Sequence, residues 1–211
     1  MRNIIVSAGL KILPSKLQYN ALIKALNFLF SSNNQLTLSD ISLVLRIDDL
    51  DKQWAFRHSN NVFTPLIEIS DSISAVSLSA DLNIFLTSVS KFDLIRHIEK
   101  GDIKLSGNNS NINKVNEAIR GISHQDFERL IEQFYQVFRA NRPDSPRLDV
   151  NQLSASDIKN DSDLEYIRDE ALRLETINLS AAHKLMCIAK QFRPDGPLIN
   201  QKVEEYSAKL S

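Results

Sequence analysis

The fold is decided by residues 75–119, which read AVSLSADLNIFLTSVSKFDLIRHIEKGDIKLSGNNSNINKVNEAI. Residues 75–80 alternate apolar side chains with serine, the period-two pattern of a half-buried strand. Apolar residues then recur at helical spacing through 82–98, and Gly101 is placed to end the second of two short helices. Residues 102–106 predict another short strand, and a Gly-Asn-Asn turn leads into a further helix. The order is therefore strand, two helices, strand, helix.

The residues before this stretch predict antiparallel strands. Apolar side chains alternate with others over 43–47 and 54–57, and again at 67–69. Pro65 cannot donate to a strand ladder, so it indicates an edge or a bulge near the third strand. We expect an antiparallel meander that pairs with the strand at 75–80. The fold class is α+β, a mostly antiparallel sheet covered by helices.

An acidic cluster lies in the first turn of this meander, at Asp48, Asp49 and Asp51. Such a cluster suggests a cation site. It lacks the ordered glycine and the distal glutamate of a calcium loop. A solvated hairpin turn is therefore the favoured interpretation.

Composition excludes several classes of function. The chain has 211 residues, 43% of them hydrophobic, and a formal net charge of -1, so it can build a core and has no general attraction to nucleic acid. One cysteine, Cys187, allows no internal disulfide and fits a reducing compartment. No run of 18 apolar residues is present, so no span of a bilayer is expected. We expect a cytoplasmic protein.

Catalytic and metal-binding motifs are absent from the sequence. The four histidines lie on different predicted elements, and no phosphate loop or nucleophile elbow occurs. His97 and Asp93 have the spacing of an acid/base pair, although a surface ion pair is the commoner meaning of that spacing. We expect no catalytic residues, no metal site, no cofactor and no independent enzymatic activity.

Residues 1–34 predict two amphipathic helices with wide apolar faces and a basic rim. All the charged residues before position 40 are basic. Helices of this kind can lie in a membrane interface, but they can also pack on the sheet of their own domain. The predicted membrane contacts are Arg2, Ile4, Ile5, Lys11 and Lys16. The expected location is then the cytoplasm with peripheral contact to the inner membrane.

The segment KGDIKLSGN, residues 100–108, resembles part of the sterol carrier protein 2 lipid-binding domain. In that family a helix ending in a basic residue and glycine leads through a short apolar strand and a Gly-Asp turn to a pocket helix. The sequence is most similar to the bacterial accessory proteins of ubiquinone biosynthesis that carry such a domain. The resemblance covers residues 36–121, and Asn108 stands where aspartate is usual.

This resemblance implies an apolar tunnel between the sheet and the helices of a domain at 35–140. Its ligand would be an isoprenoid or acyl chain, such as an intermediate of ubiquinone biosynthesis. Each of the implied lining residues could equally be an ordinary core residue. The lining residues are Trp54, Phe56, Phe85, Leu86, Ile95, Ile98, Leu105, Ile112, Val115 and Ile119.

The C-terminal part of the chain predicts a linker and a small helical segment. Residues 141–160 contain two prolines and a run of Ser, Asp and Asn. Residues 161–211 carry three helical patterns, and the middle one resembles a helix of a tetratricopeptide repeat. A single repeat cannot bury its own face, so it should dock on the first domain, a second copy or a partner.

Two functions follow from these patterns. In the first, the chain is a lipid-binding accessory protein whose C-terminal helices recruit enzymes of ubiquinone biosynthesis. In the other, it is a non-catalytic interaction scaffold with a filled core, and the C-terminal helices bind a partner or a second copy.

Overall fold

The computed structural model describes residues 2–31, 41–66, 75–137 and 150–211. The chain forms two compact units. Unit 1 comprises Met1–Ile122 and Asp126–Pro146, and unit 2 comprises Ser123–Gln125 and Arg147–Ser211.

The first part of the chain contains both helices and strands. The elements from the N-terminus are α1 (Arg2–Ile12), α2 (Ser15–Ser31), β1 (Ile41–Ile47), β2 (Lys52–Ser59), β3 (Val62–Pro65), β4 (Ala75–Ala80), α3 (Leu82–Thr87), α4 (Lys91–Lys100), β5 (Lys104–Gly107), α5 (Asn109–Gly121) and α6 (His124–Val137). In the described residues after α6, the helices are α7 (Asp161–Leu174), α8 (Leu179–Phe192) and α9 (Pro197–Leu210). Short 3-10 turns lie at Asp48–Leu50 and Ala155–Asp157. Among the helices in the described ranges, none combines the length and apolar character that crossing a bilayer requires.

The five strands of the described residues form one sheet in the order β3-β2-β1-β4-β5. The pairs β1–β2, β2–β3 and β4–β5 are antiparallel, whereas β1 and β4 are parallel. The α+β class is confirmed, but the sheet is mixed rather than a continuation of the meander. Period-two patterning identifies which face of a strand is buried; it does not identify the neighbour or its direction.

The third strand differs from the one expected at 67–69, which lies outside the described residues. The strand observed next to β2 is β3, and it occupies an edge of the sheet. Pro65 is its last residue, as an edge position allows. Both faces of the sheet are buried at β1 and β2. Val44 and Ala55 are buried on one face, and Leu43 and Phe56 are buried on the other.

Helix α2 protects the β3 edge through one asparagine. The Phe63 N–H donates to Asn27 Oδ1 at 2.7 Å, and Asn27 Nδ2 donates to the Phe63 carbonyl at 3.4 Å. Unpaired backbone groups at a sheet edge invite pairing with another chain. The amide of Asn27 satisfies both groups of Phe63, so it fixes α2 beside the edge strand.

Replacing Asn27 with alanine should destabilise unit 1. The change leaves the Phe63 N–H without its acceptor, which costs about 1–2 kcal/mol. Trp54, the single tryptophan of the chain, reports unfolding of unit 1 in urea by its fluorescence. Asn20→Ala is the matched control because Asn20 is exposed on the same helix. Equal stability of the two variants would contradict this role for Asn27.

The helices that follow β4 begin and end at specific residues. Ser90 and Asp93 form a reciprocal cap at the start of α4: Ser90 Oγ accepts from the Asp93 N–H at 3.1 Å, and Asp93 Oδ2 accepts from the Ser90 N–H at 3.1 Å. Gly101 ends α4 with a φ of 77°. Gly107 has a φ of 141°, and a Cβ there would lie 2.4 Å from the Ala75 carbonyl oxygen, so β4 and β5 can approach only because this residue is glycine.

Unit 2 contains the three predicted helices. Two of them bury an apolar face, formed by Leu164, Ile167, Ala171 and Leu174 on α7, and by Ala182, Leu185, Met186 and Ala189 on α8. Pro197 occupies the first turn of α9, where Tyr206 is buried but Leu198 and Leu210 remain 41% and 48% exposed.

A polar cluster joins α9 to the end of α7. Tyr206 is fully buried and donates its hydroxyl to Glu175 Oε2 at 2.9 Å, while Lys202 Nζ lies 3.0 Å from the same oxygen. Burial, together with the bond to Glu175, raises the pKa of Tyr206 to about 12. The bonds from Lys202 and Tyr206 lower the pKa of Glu175.

Candidate functional site

The ten predicted lining residues all belong to one apolar cluster of unit 1. They divide by exposure into two groups of five. The buried members are Trp54, Phe56, Ile95, Val115 and Ile119, and the half-buried members are Phe85, Leu86, Ile98, Leu105 and Ile112.

The strand registers place the sheet members of the cluster on one face. Trp54 is opposite Leu45, Leu45 opposite Leu78, and Leu78 opposite Leu105. Residues that are directly opposite in a pleated sheet point to the same side. One apolar row therefore crosses four strands from β2 to β5. Another row runs in the same way through Phe56, Leu43 and Val76.

Three helices contribute the remaining predicted members. Phe85 and Leu86 come from α3, Ile95 and Ile98 from α4, and the i, i+3 and i+7 positions of α5 supply the rest. This spacing gives one helical stripe. The stripe on α5 consists of Ile112, Val115 and Ile119.

The N-terminal helices also enter the cluster, which sequence reasoning left as an alternative. The α1 and α2 side chains packed against it include Leu10, Tyr19, Leu22, Ile23 and Leu26. The Tyr19 ring meets the Phe56 ring edge-on, with centroids 5.6 Å apart, and its hydroxyl accepts from the Ala55 N–H at 3.3 Å. Packing on the sheet is one of the two alternatives for α2, and the sequence does not indicate that α2 meets β2.

Exposure within the cluster changes along the sheet. The members on β2 are buried, whereas Leu105 on the opposite edge strand is half-buried. Ile98, in the last turn of α4, and Ile112, in the first turn of α5, are also half-buried. The predicted members on β2 are therefore covered, whereas those near the β5 edge are partly exposed.

The predicted membrane contacts occupy α1 and the start of α2. Arg2, Ile4 and Ile5 lie in α1, within the part of it whose side chains the structure does not describe. Lys11 and Lys16 are exposed.

The acid/base pair considered for His97 and Asp93 does not form. His97 Nδ1 lies 2.8 Å from Asp102 Oδ2 instead. Asp93 is used by the Ser90 cap and by Arg96, whose Nη2 is 3.0 Å from Asp93 Oδ1. Burial raises the pKa of Asp93, and the hydrogen bond from Ser90 opposes that rise.

The three aspartates of the acidic turn, Asp48, Asp49 and Asp51, have structural roles. Asp49 Oδ1 accepts from the Leu82 N–H at 2.8 Å and so caps α3 from 33 positions away, while Asp81 precedes that helix without a side-chain cap. Asp48 pairs with Arg46 at 2.9 Å, and Asp51 takes the left-handed conformation with a φ of 48°. Within the described ranges, no group of three His, Cys, Asp or Glu residues is arranged to hold a metal ion.

The two candidate caps of α3 can be separated by mutation. Asp49→Ala should lower the free energy of unfolding by about 1 kcal/mol, because it removes a helix cap. Asp81→Ala should cost clearly less, since the Asp81 side chain makes no cap bond. Urea unfolding followed by Trp54 fluorescence measures both. A rise in the midpoint of thermal unfolding on adding calcium chloride, abolished by Asp49→Ala, would instead support a cation site.

Comparison with known proteins finds similarity among solved structures. No protein-family model matches the chain, and no curated protein matches it. Among solved structures the chain is similar to one titled "UbiJ-SCP2 Ubiquinone synthesis protein", with a TM-score of 0.40 and 18% sequence identity, over 50% of this chain and 96% of that chain.

Proposed function

We propose that the chain is a non-catalytic accessory protein whose unit 1 binds an isoprenoid or acyl chain. The observation that carries the proposal is the convergence of all ten predicted lining residues in one cluster, whose members on β2 are buried and whose members near the β5 edge are partly exposed. The resemblance to the sterol carrier protein 2 domain implies these same residues from the sequence alone. A hydrocarbon chain entering at the β5 edge would have Trp54 and Phe56 at its inner end.

Such binding needs no covalent bond to the ligand, because burial of the hydrocarbon chain supplies the free energy. Moving a chain from water into an apolar site is worth about 0.8 kcal/mol for each methylene buried. A polar head, such as the ring of a ubiquinone precursor, would remain at the β5 edge, where Lys104 and Asn108 are exposed. The protein would then present the head to an enzyme of ubiquinone biosynthesis while it covers the tail.

Trp54 provides a direct test, because it is the single tryptophan and lies in the cluster. Brominated acyl chains quench tryptophan only on close approach. Titration of delipidated protein with a dibrominated fatty acid should therefore quench Trp54 in the wild type. Val115→Phe adds a ring to the cluster and should weaken this quenching about tenfold or more, because the ring takes space that the ligand needs.

The same variant separates a ligand site from a filled core. If the cluster holds space for a chain, Val115→Phe changes the free energy of unfolding by less than about 1 kcal/mol. If it is packed throughout, the extra ring costs about 1–3 kcal/mol. Val62→Phe is the matched control, because Val62 lies on β3 with 47% of its surface exposed. The proposal would be refuted if Val115→Phe lowers the free energy of unfolding and the brominated fatty acid does not quench Trp54 in the wild type.

Lipid carried through purification is a further test. Solvent extraction of freshly purified protein followed by mass spectrometry should release about one isoprenoid or acyl lipid per chain. Val115→Phe should carry less of it, and Val62→Phe the same amount. If the wild type releases no more lipid than a protein of similar size that has no lipid site, the result would count against a bound chain.

A role of unit 2 in assembly is the other candidate function. Its described surface includes four large apolar side chains that remain between 37% and 59% exposed, namely Ile177, Phe192, Leu198 and Leu210. These would serve to recruit biosynthetic enzymes or a second copy of the chain. The scaffold function does not require the unit 1 cluster to bind a ligand. Quenching of Trp54 in the titration would therefore support lipid binding over a scaffold function alone.

A further inference from the structure

The connection between α1 and α2 exposes large apolar side chains beside basic ones. Ile12 is 80% exposed, Leu13 40% and Leu17 53%. Lys11 and Lys16 flank them and are exposed as well. We call residues 11–17 the elbow. Three large aliphatic side chains within six positions are more than the isolated exposed apolar residues that a soluble surface ordinarily carries.

The elbow is held in place by the residue that follows it. The Gln18 side chain is buried, and its Nε2 donates to the Leu10 carbonyl at 2.9 Å and to the Leu13 carbonyl at 2.6 Å. These carbonyls end α1 and would otherwise need water. Leu10 packs against the apolar cluster, so the elbow is anchored to unit 1 on its inner side. Its outward side chains are therefore displayed by a fixed turn.

Charge identifies the partner that this surface fits. The first acidic residue of the chain is Asp40, whereas four basic residues precede it, although the whole chain has a net charge of -1. A protein or second copy would require an apolar counterpart with acidic groups around it. An anionic bilayer offers hydrocarbon and a negative surface together, the combination that aliphatic tips with flanking lysines complement.

We propose that the elbow inserts into the interface of an anionic membrane, with Ile12, Leu13 and Leu17 among the acyl chains and Lys11 and Lys16 at the headgroups. This site goes beyond the proposed lipid binding by unit 1 and does not depend on it. It also shifts the predicted membrane contact from Ile4 and Ile5 to the turn between the two helices.

The first experiment measures vesicle binding of the full-length protein. The wild type should sediment with vesicles of phosphatidylcholine and phosphatidylglycerol, and much less with phosphatidylcholine alone. The double change Ile12→Ser and Leu17→Ser should lower the partition coefficient by roughly tenfold or more, because two aliphatic side chains no longer enter the hydrocarbon. The matched control is Ile177→Ser with Leu210→Ser, which alters residues that are 59% and 48% exposed in unit 2.

Charge is tested in the same assay. Lys11→Gln and Lys16→Gln should each weaken binding to the anionic vesicles about fivefold at low salt. Lys114→Gln and Lys159→Gln, at exposed positions elsewhere, should leave it unchanged. High salt should reduce the difference between the two pairs, because it screens the lysine contribution.

A label at position 12 tests the site itself. Ile12→Cys in a Cys187→Ser background carries one environment-sensitive fluorophore, and Ile177→Cys in the same background is the control. Anionic vesicles should raise and blue-shift the fluorescence at position 12 and leave position 177 unchanged.

Three results would overturn the proposal. They are a wild type that does not bind anionic vesicles, equal loss of binding in the elbow and control pairs, and a concentration-dependent dimer in ultracentrifugation that Ile12→Ser with Leu17→Ser abolishes. The last would assign the elbow to a second copy. Quenching of Trp54 by a soluble brominated fatty acid needs no vesicle. A negative result for membrane binding by the elbow therefore does not contradict lipid binding by unit 1, and a negative quenching result does not contradict membrane binding.

Discussion

Strand β1 is the element on which unit 1 depends, because it is hydrogen-bonded on both sides, antiparallel to β2 and parallel to β4. Its registers decide which side chains share a face. A slip of one residue against β4 would move Leu78 and Val76 to the other side of the sheet. The row from Trp54 to Leu105 would then be broken, and the helices after β4 would find no continuous apolar surface to cover.

Local sequence signals determined most elements, but contacts distant in sequence determined their arrangement. The alternation in 75–80 is sufficient to predict β4, and Gly101 is sufficient to end α4. The cap of α3 could not be predicted locally, because Asp49 supplies it from the β1–β2 connection while Asp81 stands unused at the helix start. His97 likewise turns to Asp102, since Asp93 is already committed to Ser90 and Arg96.

The same contrast applies to the candidate site. Helical and strand periodicity show which residues face inward, and the resemblance stated from the sequence implied the ten residues that share one cluster. Periodicity is identical for a filled core and for a lined tunnel, because both need apolar side chains at the same positions. The difference between them is the volume of a hydrocarbon chain, about 300 Å³ or more for a ligand pocket. A change in volume at Val115, rather than a change in polarity, is therefore the informative mutation.

The N-terminal helices show how one apolar segment can serve two surfaces. A helix with a wide apolar face has more hydrophobic surface than a single neighbour can cover. Leu10, Leu22 and Leu26 are drawn into the cluster, and Pro14 and Gln18 turn the chain so that Ile12 and Leu17 point away from it. Hydrophobicity alone therefore does not assign these residues to core or membrane. The hydrogen bonds of Gln18 to the Leu10 and Leu13 carbonyls tie the start of α2 to the end of α1, so the turn that carries Ile12 and Leu17 is held on unit 1.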